Sequence, residues 1–307
     1  MNKQPKANDT TQEQQKCAVI ALIGAPNAGK STLINTLVGQ KIAIATHKAQ
    51  TTRKNIRGIM FANTQTQLVF VDTPGIFKPD GLLEKSIVKE AWRALDGCDM
   101  VCLLIDANRK LDENYQIIIE HLKRQQIKSC AVLTKIDSLP KALLIEKALQ
   151  LGQHECFEKI FMISALKKSG IQDMIEYLAQ HSPASAWLYP EEELTDSPLR
   201  EMAAEITREQ VFLQLHQEIP YEMKVETDLW KDVEGVVEIY QTLYVIKESQ
   251  QKIVIGSKGQ RLKSIGINAR KQIQHRLGIP KVRLFLHVKV RPNWIENEAG
   301  IHTKAKK

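Results

Sequence analysis

The chain has 307 residues, of which 43% are hydrophobic and 25% are charged, and its formal net charge is +8. That length allows two domains with separate cores, and no apolar run approaches the roughly 18 residues that a bilayer-spanning helix needs. The five cysteines lack a C-x-x-C spacing, which indicates a reducing cytoplasm and argues against a structural metal.

The positive charge is concentrated at the C-terminal end. Residues 247–307 contain 15 lysines and arginines against three acids, a local net charge of about +12, so the rest of the chain carries about −4. A basic end of this kind indicates an anionic partner, either nucleic acid or a membrane surface. The simpler alternative is a basic face that only contacts solvent.

The N-terminal part leads into a phosphate-binding motif. Residues 1–16 are polar, without the apolar core of a secretory signal, and we interpret them as a disordered tail. An apolar strand, residues 18–23, then precedes a segment that fits G-x-x-x-x-G-K-[ST] and continues as a helix. This order predicts a P-loop, in which the lysine meets the outer phosphates and the serine hydroxyl meets a phosphate-bound Mg²⁺. The predicted nucleotide-binding residues here are Gly24, Ala25, Pro26, Asn27, Ala28, Gly29, Lys30 and Ser31.

A polar segment rich in Thr and Lys follows at residues 40–57, with Gln50-Thr51-Thr52-Arg53 at its centre. A threonine hydroxyl can join the Mg²⁺ shell only while the γ-phosphate is present, so this segment is a candidate nucleotide-sensing switch. We prefer Thr52 over Thr51 as the metal ligand. Thr-rich loops are common, so this segment alone does not establish a nucleotide-sensing switch.

A second apolar strand, residues 68–71, ends in Asp72-Thr73-Pro74-Gly75. A carboxylate at that edge of a parallel sheet can hold Mg²⁺ through water, as a Walker B acid does. Gly75 permits a backbone N–H to approach the γ-phosphate closely. The same four residues also form an ordinary turn, but their place about forty residues after a P-loop favours a nucleotide site.

Three further buried-type strands, at residues 100–105, 130–133 and 159–163, alternate with helical patterns at 110–125 and 140–151. Alternation of this kind predicts a doubly wound, mainly parallel sheet whose ligands bind at the carboxyl ends of the strands.

Two of those strand ends carry a possible guanine site. Asp137 can accept both N–H groups that guanine offers and adenine lacks, and the stem of Lys135 can lie over the base. A backbone N–H at Ala165 can reach guanine O6. The predicted residues are Thr134, Lys135, Ile136, Asp137, Ser164, Ala165 and Leu166.

These motifs, in this order, resemble those of the small-GTPase superfamily over residues 17–181. The resemblance implies an α/β P-loop GTPase domain that binds GTP or GDP with Mg²⁺. It also implies catalytic roles for Lys30, Thr52 and Gly75, and Mg²⁺ ligation by Ser31, Thr52 and Asp72.

Two positions depart from the superfamily pattern. Thr134 stands where Asn is commonest, although its hydroxyl can still donate to the P-loop backbone. Ile76 stands where Ras-like proteins carry the glutamine that orients the attacking water, so we expect slow intrinsic hydrolysis.

The rest of the chain predicts a smaller α+β domain. Residues 182–198 contain three prolines and an acidic cluster and are typical of a linker. A helix at 199–217 and strands at 221–229 and 236–246 follow. Gly256-Ser257-Lys258-Gly259 then opens a long helical pattern, and a last strand is expected at 281–290.

This order, with a G-x-x-G loop between the two central helices, resembles a type II KH domain over residues 199–307. In that module the loop clamps a nucleic-acid backbone, and single-stranded bases lie in the adjacent groove. A basic helix pair without a ligand is the alternative. The predicted RNA-binding residues are Gly256, Ser257, Lys258, Gly259, Arg261 and Lys263.

A GTPase domain followed by one type II KH domain is similar to the Era family of bacterial GTPases, and the segment around Thr52 resembles that family's switch. The resemblance implies a monomeric, GTP-gated factor that binds the 3′ end of 16S ribosomal RNA during 30S subunit assembly. It also implies contact with the cytoplasmic face of the inner membrane. The alternatives are a GTPase of the membrane surface and a tRNA-modification enzyme, and no cysteine suited to the latter lies near the C-terminus.

Overall fold

The computed structural model describes residues 14–43, 55–215, 222–292 and 294. The predicted switch threonines, Thr51 and Thr52, lie outside these residues, as does most of the predicted N-terminal tail.

The first domain is a six-stranded sheet between two layers of helices. Its strand order is β2-β3-β1-β4-β5-β6, and every pair is parallel except β2 with β3. The predicted doubly wound, mainly parallel sheet is therefore confirmed. The strands are β1 (Lys16–Gly24), β2 (Ile56–Phe61), β3 (Thr66–Asp72), β4 (Met100–Asp106), β5 (Ser129–Thr134) and β6 (Phe157–Met162). The helices are α1 (Lys30–Val38), α2 (Leu82–Arg93), α3 (Glu113–Arg124), α4 (Lys141–Gly152) and α5 (Ile171–Gln180).

The central strands are buried on both faces, which explains their continuous apolar sequence. In β1, Leu22 belongs to one apolar cluster and Ile23 to the cluster on the opposite face. Strand β1 pairs with β3 on one side and β4 on the other, so the helices leave the sheet in opposite directions at its carboxyl end. That point is where ligands bind in open α/β sheets.

The second domain packs α6, α7 and α8 on one face of a three-stranded sheet. Strand β8 is antiparallel to β7 and parallel to β9. This arrangement confirms the predicted α+β class. Its elements are α6 (Leu199–Gln214), β7 (Lys224–Val233), β8 (Val236–Val245), α7 (Glu248–Ile255), α8 (Gln260–Leu277) and β9 (Val282–Val290).

Two details differ from expectation. Lys16, placed in the tail from sequence, begins β1 because it pairs with Thr66 and forms a bridge with Ala184. The short edge strand β2 falls partly within the polar segment at residues 40–57, where no strand is predicted. Its sequence has too little apolar and polar alternation to indicate a strand.

Residues 182–198, predicted as a linker, lie along the edge of the sheet. Thr195 bridges to Gly58 of β2, and the Gln67 side chain donates to the Tyr189 carbonyl at 2.8 Å and accepts from the Leu188 N–H at 2.9 Å. The segment therefore covers an edge that would otherwise expose unpaired backbone groups.

Among the described helices, none has both the length and the apolar character required to cross a membrane.

The packing of α1 on β2 requires a glycine at position 58. A Cβ there would lie 2.7 Å from Ile34 Cγ1 and 2.8 Å from Val38 Cγ2. We expect Gly58→Ala to lower the free energy of unfolding by about 1–3 kcal/mol through overpacking. Urea denaturation followed by circular dichroism measures the change. Gly81→Ala is the matched control, since a Cβ at Gly81 would have no neighbour within 4 Å; equal stability of the two variants would contradict this packing.

Candidate functional site

The P-loop connects β1 to α1 at the carboxyl edge of the sheet, and its first glycine lies directly against β4. Gly24 has φ +151°, and a Cβ there would lie 2.5 Å from the Leu104 carbonyl oxygen. Gly29, with φ +97°, caps α1. Position 24 needs glycine because of both the close carbonyl oxygen and the positive φ, and position 29 needs it because of the positive φ. The loop consequently curls above the N-terminus of α1, where backbone N–H groups favour an anion.

Lys30 lies inside this loop rather than in solvent. Its Nζ donates to the carbonyl oxygens of Gly24 at 3.0 Å and Ala25 at 3.1 Å. Burial lowers the pKa of Lys30 to about 8, and the nearby Asp72 carboxylate opposes that shift. The ammonium is thus held at the anion site by the loop itself.

Ser31 and Asp72 form the metal end of the site. The Ser31 Oγ donates to Asp72 Oδ2 at 2.7 Å, and Asp72 is fully buried at the end of β3. A hydroxyl and a carboxylate, side by side at the anion site, are the hard oxygen donors that Mg²⁺ prefers. The residues present fit the ion. The third predicted ligand, Thr52, lies outside the described residues.

The loop after β3 docks against the P-loop. Thr73 Oγ1 donates to the Leu22 carbonyl at 2.8 Å. A Cβ on Gly75 would lie 2.9 Å from Pro26 Cγ, so only glycine allows this approach. The Ile76 N–H donates to the Gly24 carbonyl at 3.0 Å, while its side chain is fully buried in an apolar cluster. The Ile76 backbone therefore contacts the P-loop, while its side chain packs among apolar residues.

The end of β5 is tied to the back of the P-loop. Thr134 Oγ1 donates to the Ala28 carbonyl at 2.7 Å, which places a hydroxyl where an asparagine is commonest. Lys135 Nζ donates to the Asn27 carbonyl at 2.8 Å and to Asp106 Oδ2 at 2.7 Å. These bonds fix the stem of Lys135 beside the loop, with Ile136 following in a short 3-10 turn.

Asp137 and the end of β6 complete the base side. A hydrogen bond from Ser164 lowers the pKa of Asp137, which keeps this exposed carboxylate ionised as an acceptor. Ser164 is buried, and Leu166 is 80% exposed. Ala165 lies between them. The structure thus brings the predicted base-binding residues to the same edge as the P-loop.

Sequence reasoning missed Asp106, Asn108 and Arg109, which follow β4. Burial would raise the pKa of Asp106, but hydrogen bonds from Lys135 and Asn108 outweigh it and lower that pKa. Arg109 Nη1 reaches the Pro26 carbonyl at 3.4 Å. The sequence could have indicated Asp106 by its position, because it ends an apolar strand in the same way as Asp72.

The second glycine loop lies between α7 and α8. Gly256 has φ +72° and Gly259 has φ +74°, and Lys258 between them also has positive φ, at +48°. Gly259 caps the N-terminus of α8. Two left-handed glycines expose the backbone of this turn to an incoming phosphate.

Four of the predicted RNA-binding side chains are exposed, namely Ser257, Lys258, Arg261 and Lys263. Of these, Arg261 also donates from Nη1 to the Ile253 carbonyl at 2.7 Å and so links α8 to the end of α7. Ile253 and Ile267 are 41% and 40% exposed on the two helices. Sequence reasoning missed this apolar pair, because only the fold shows that both side chains are at the surface.

Comparison with known proteins matches both halves of the chain. Residues 19–135 fit the family model described as a 50S ribosome-binding GTPase, and residues 218–295 fit the KH domain model. The GTPase Era of Brucella suis biovar 1 is 46% identical over 94% of this chain and 93% of its own length. The GTPase Era of Mesorhizobium japonicum is 48% identical over 90% of this chain and 88% of its own.

Two solved structures are similar over 94% of this chain and 98% of theirs, each with a TM-score of 0.88 and 33% identity. One is Era in complex with MgGDPNP and nucleotides 1506–1542 of 16S ribosomal RNA. The other is a variant of Aquifex aeolicus Era, with a tyrosine replaced by alanine, bound to GDP·AlF4⁻.

Asp137→Asn tests the base site. We expect GDP affinity to fall at least about a hundredfold, because two hydrogen bonds to a carboxylate are lost and an amide N–H faces the guanine donors. Xanthosine diphosphate, which presents a carbonyl there, should gain affinity relative to GDP. Fluorescent-nucleotide titration measures both constants. Asp173→Asn, an exposed change on α5, is the control, and unchanged GDP affinity of Asp137→Asn would contradict the assignment.

Ile76→Gln tests the expectation of slow hydrolysis. The new amide would be buried in an apolar cluster, so we expect no rise in single-turnover GTP hydrolysis and a loss of about 1–3 kcal/mol of stability. Ile76→Val, which keeps the site apolar, is the control. A tenfold faster rate in Ile76→Gln would show that the side chain can reach the phosphate.

Proposed function

The chain belongs to the Era family of GTPases, and we propose that it is a slow, GTP-gated switch that binds the 3′ end of 16S ribosomal RNA during 30S subunit assembly. As a member of this family it binds GTP and hydrolyses it to GDP and phosphate. The observation that carries the RNA half of the proposal is the Gly256–Gly259 turn, whose left-handed glycines lie beside exposed lysines and open the long basic helix α8.

The nucleotide half of the mechanism rests on the P-loop. Lys30, held by the Gly24 and Ala25 carbonyls, is positioned to neutralise the outer phosphates. Ser31 and Asp72 would hold the Mg²⁺ that accompanies the nucleotide and offsets its charge. The backbone N–H of Gly75 is assigned to the γ-phosphate.

Slow hydrolysis follows from the position of Ile76. Because its side chain is apolar and buried, it cannot orient the attacking water, which has to be held by backbone, by another residue or by a partner. We propose that the protein acts as a timer, in which GTP occupancy lasts until a partner completes the site.

Thr52 remains our proposed third Mg²⁺ ligand. GTP with Mg²⁺ would order the segment around it and the loop after Gly75, and that arrangement would favour RNA binding. Hydrolysis would then release the RNA. Equal RNA affinity in the GTP-bound and GDP-bound forms would contradict this coupling.

On the RNA side, the Gly256–Gly259 backbone is proposed to clamp phosphates, with Lys258 and Lys263 adding charge. Ile253 and Ile267 offer apolar surface on the flanking helices, where bases can lie. Arg261 is assigned a supporting role, because its guanidinium already holds the end of α7.

The finer parts of the proposal are a monomeric state, work in the cytoplasm on the 30S subunit, and peripheral contact with the inner membrane. The basic C-terminal region also supports a second candidate, a GTPase of the membrane surface. We therefore propose comparing binding to an RNA of the 1506–1542 sequence with binding to anionic vesicles, at matched salt. Stronger vesicle binding, with none to the RNA, would favour the second candidate.

The Gly259→Asp variant tests whether the Gly256–Gly259 loop binds RNA. Gly259 and Gly278 have φ +74° and +66°, and a Cβ at either would have no neighbour within 4 Å. They lie at opposite ends of α8, so Gly278→Asp is a control with the same backbone strain and the same charge. We expect Gly259→Asp to weaken binding of the 1506–1542 RNA at least tenfold, because a carboxylate would repel the phosphates.

Both variants should hydrolyse GTP at the wild-type rate, as measured by phosphate release. Retained RNA affinity in Gly259→Asp, or an equal loss in Gly278→Asp, would remove the role of this loop.

A further inference from the structure

A buried carboxylate joins the two domains. Glu209, on α6, has a side chain that is 2% exposed, with Oε1 2.6 Å from Lys41 Nζ and Oε2 2.6 Å from Arg276 Nη2. Lys41 belongs to the first domain, just after α1, and Arg276 lies in the last turn of α8. We call these three residues the Glu209 triad. Its single negative charge lies between cations from opposite sides of the domain boundary.

The segment that carries Lys41 is fixed to α1. Asn35 Oδ1 accepts hydrogen bonds from the backbone N–H groups of Ile42 at 2.8 Å and Ala43 at 2.9 Å, and Asn35 Nδ2 donates back to the Ala43 carbonyl at 2.9 Å. Gln40 Nε2 donates to the Arg276 carbonyl at 2.8 Å. A displacement of α1 would therefore be transmitted to this segment and to the end of α8.

Apolar contacts surround the charges. Ile42 and Ala43 lie in the same buried cluster as Met202 of α6, and Leu277 of α8 packs against that cluster. Glu209 and Arg276 are therefore largely shielded from water, and their ion pair acts at a lower effective dielectric constant than at the surface, whereas the Lys41 side chain is 37% exposed. Removing the Glu209 carboxylate would leave the buried Arg276 guanidinium without its compensating charge.

Both glycine loops open helices that end at this interface. Helix α1 begins at Lys30 in the P-loop, spans about 13 Å and leads into Gln40 and Lys41. Helix α8 begins after Gly259 in the RNA loop, spans about 27 Å and ends at Arg276 and Leu277. The two helices therefore connect each glycine loop to the same interface.

We propose that the Glu209 triad couples the nucleotide state to RNA affinity by fixing α8, and with it the Gly256–Gly259 loop, to α1. The inference rests on the proposed function, because it needs RNA affinity to depend on the nucleotide. Without the carboxylate, Lys41 and Arg276 would lie on opposite sides of the domain boundary with no anion between them, and their repulsion would disfavour the joined arrangement. The coupling is reciprocal, so RNA would change nucleotide affinity by the same factor.

The test measures affinity for the 1506–1542 RNA at one salt concentration, with a non-hydrolysable GTP analogue and with GDP. The wild-type affinity ratio should be at least about fivefold. Glu209→Gln should bring the ratio below about twofold while leaving the affinity for either nucleotide, measured without RNA, unchanged. Lys41→Met, at a partly exposed position, should act in the same direction and carries less risk to folding.

Glu205→Gln is the matched control, because Glu205 lies one turn earlier on α6 and its ion pair with Arg208 stays within that helix. It should keep the wild-type ratio. The double variant Glu209→Gln/Lys41→Met should lose no more coupling than Glu209→Gln alone.

Retention of the wild-type ratio in both Glu209→Gln and Lys41→Met would overturn the role of the triad while leaving the proposed function intact. A ratio of one in the wild-type protein would instead remove the proposed coupling, and the triad's role with it. Loss of the ratio in Glu205→Gln as well would reduce the effect to a general loosening of α6 and would also overturn the inference.

Discussion

The close approach of the P-loop to the neighbouring strand is the constraint on which the nucleotide site depends. The Leu104 carbonyl oxygen occupies the space that a Cβ at position 24 would need, so β1 and β4 meet the loop at van der Waals distance. From there Gly24 accepts from both Lys30 and Ile76, and Pro26 is contacted by Gly75 and Arg109. One backbone turn thereby fixes the positions of the phosphate, metal and base sides together.

The same geometry bears on the proposed slow hydrolysis of GTP. The Ile76 backbone is used to attach the loop after β3, and its side chain contributes to the apolar cluster below the sheet. A polar side chain in its place would lose that burial. Position 76 can therefore either stabilise the loop through an apolar side chain or orient water through a polar one. In this chain Ile76 stabilises the loop.

Much of this was predictable from sequence, because P-loop, strand-end and G-x-x-G motifs are local and each needs particular residue types. The family, the fold class and the enzyme class were confirmed. The individual site residues stay predictions with a consistent geometry. Asp106 could be missed because its partner Lys135 is distant in the chain, and Glu209 pairs with a lysine 168 positions away. Edge strand β2 lacks the alternation of apolar and polar residues by which a strand is recognised from sequence alone, since the linker and α1 supply its burial.

The segment between the domains has a mechanical consequence. Its last backbone pairing is at Thr195, with Gly58 on the edge of β2, and Asp196 Oδ2 then lies 3.7 Å from Arg57 Nε of the same strand. Helix α6 begins at Leu199, so three residues separate Thr195 from the helix, with an extended reach of about 14 Å. While the pairing at Thr195 is kept, the start of α6 therefore stays close to the sheet edge. A larger separation of the two domains would require the segment to lose its pairing with β2. The strength of that pairing therefore limits how far the domains can separate.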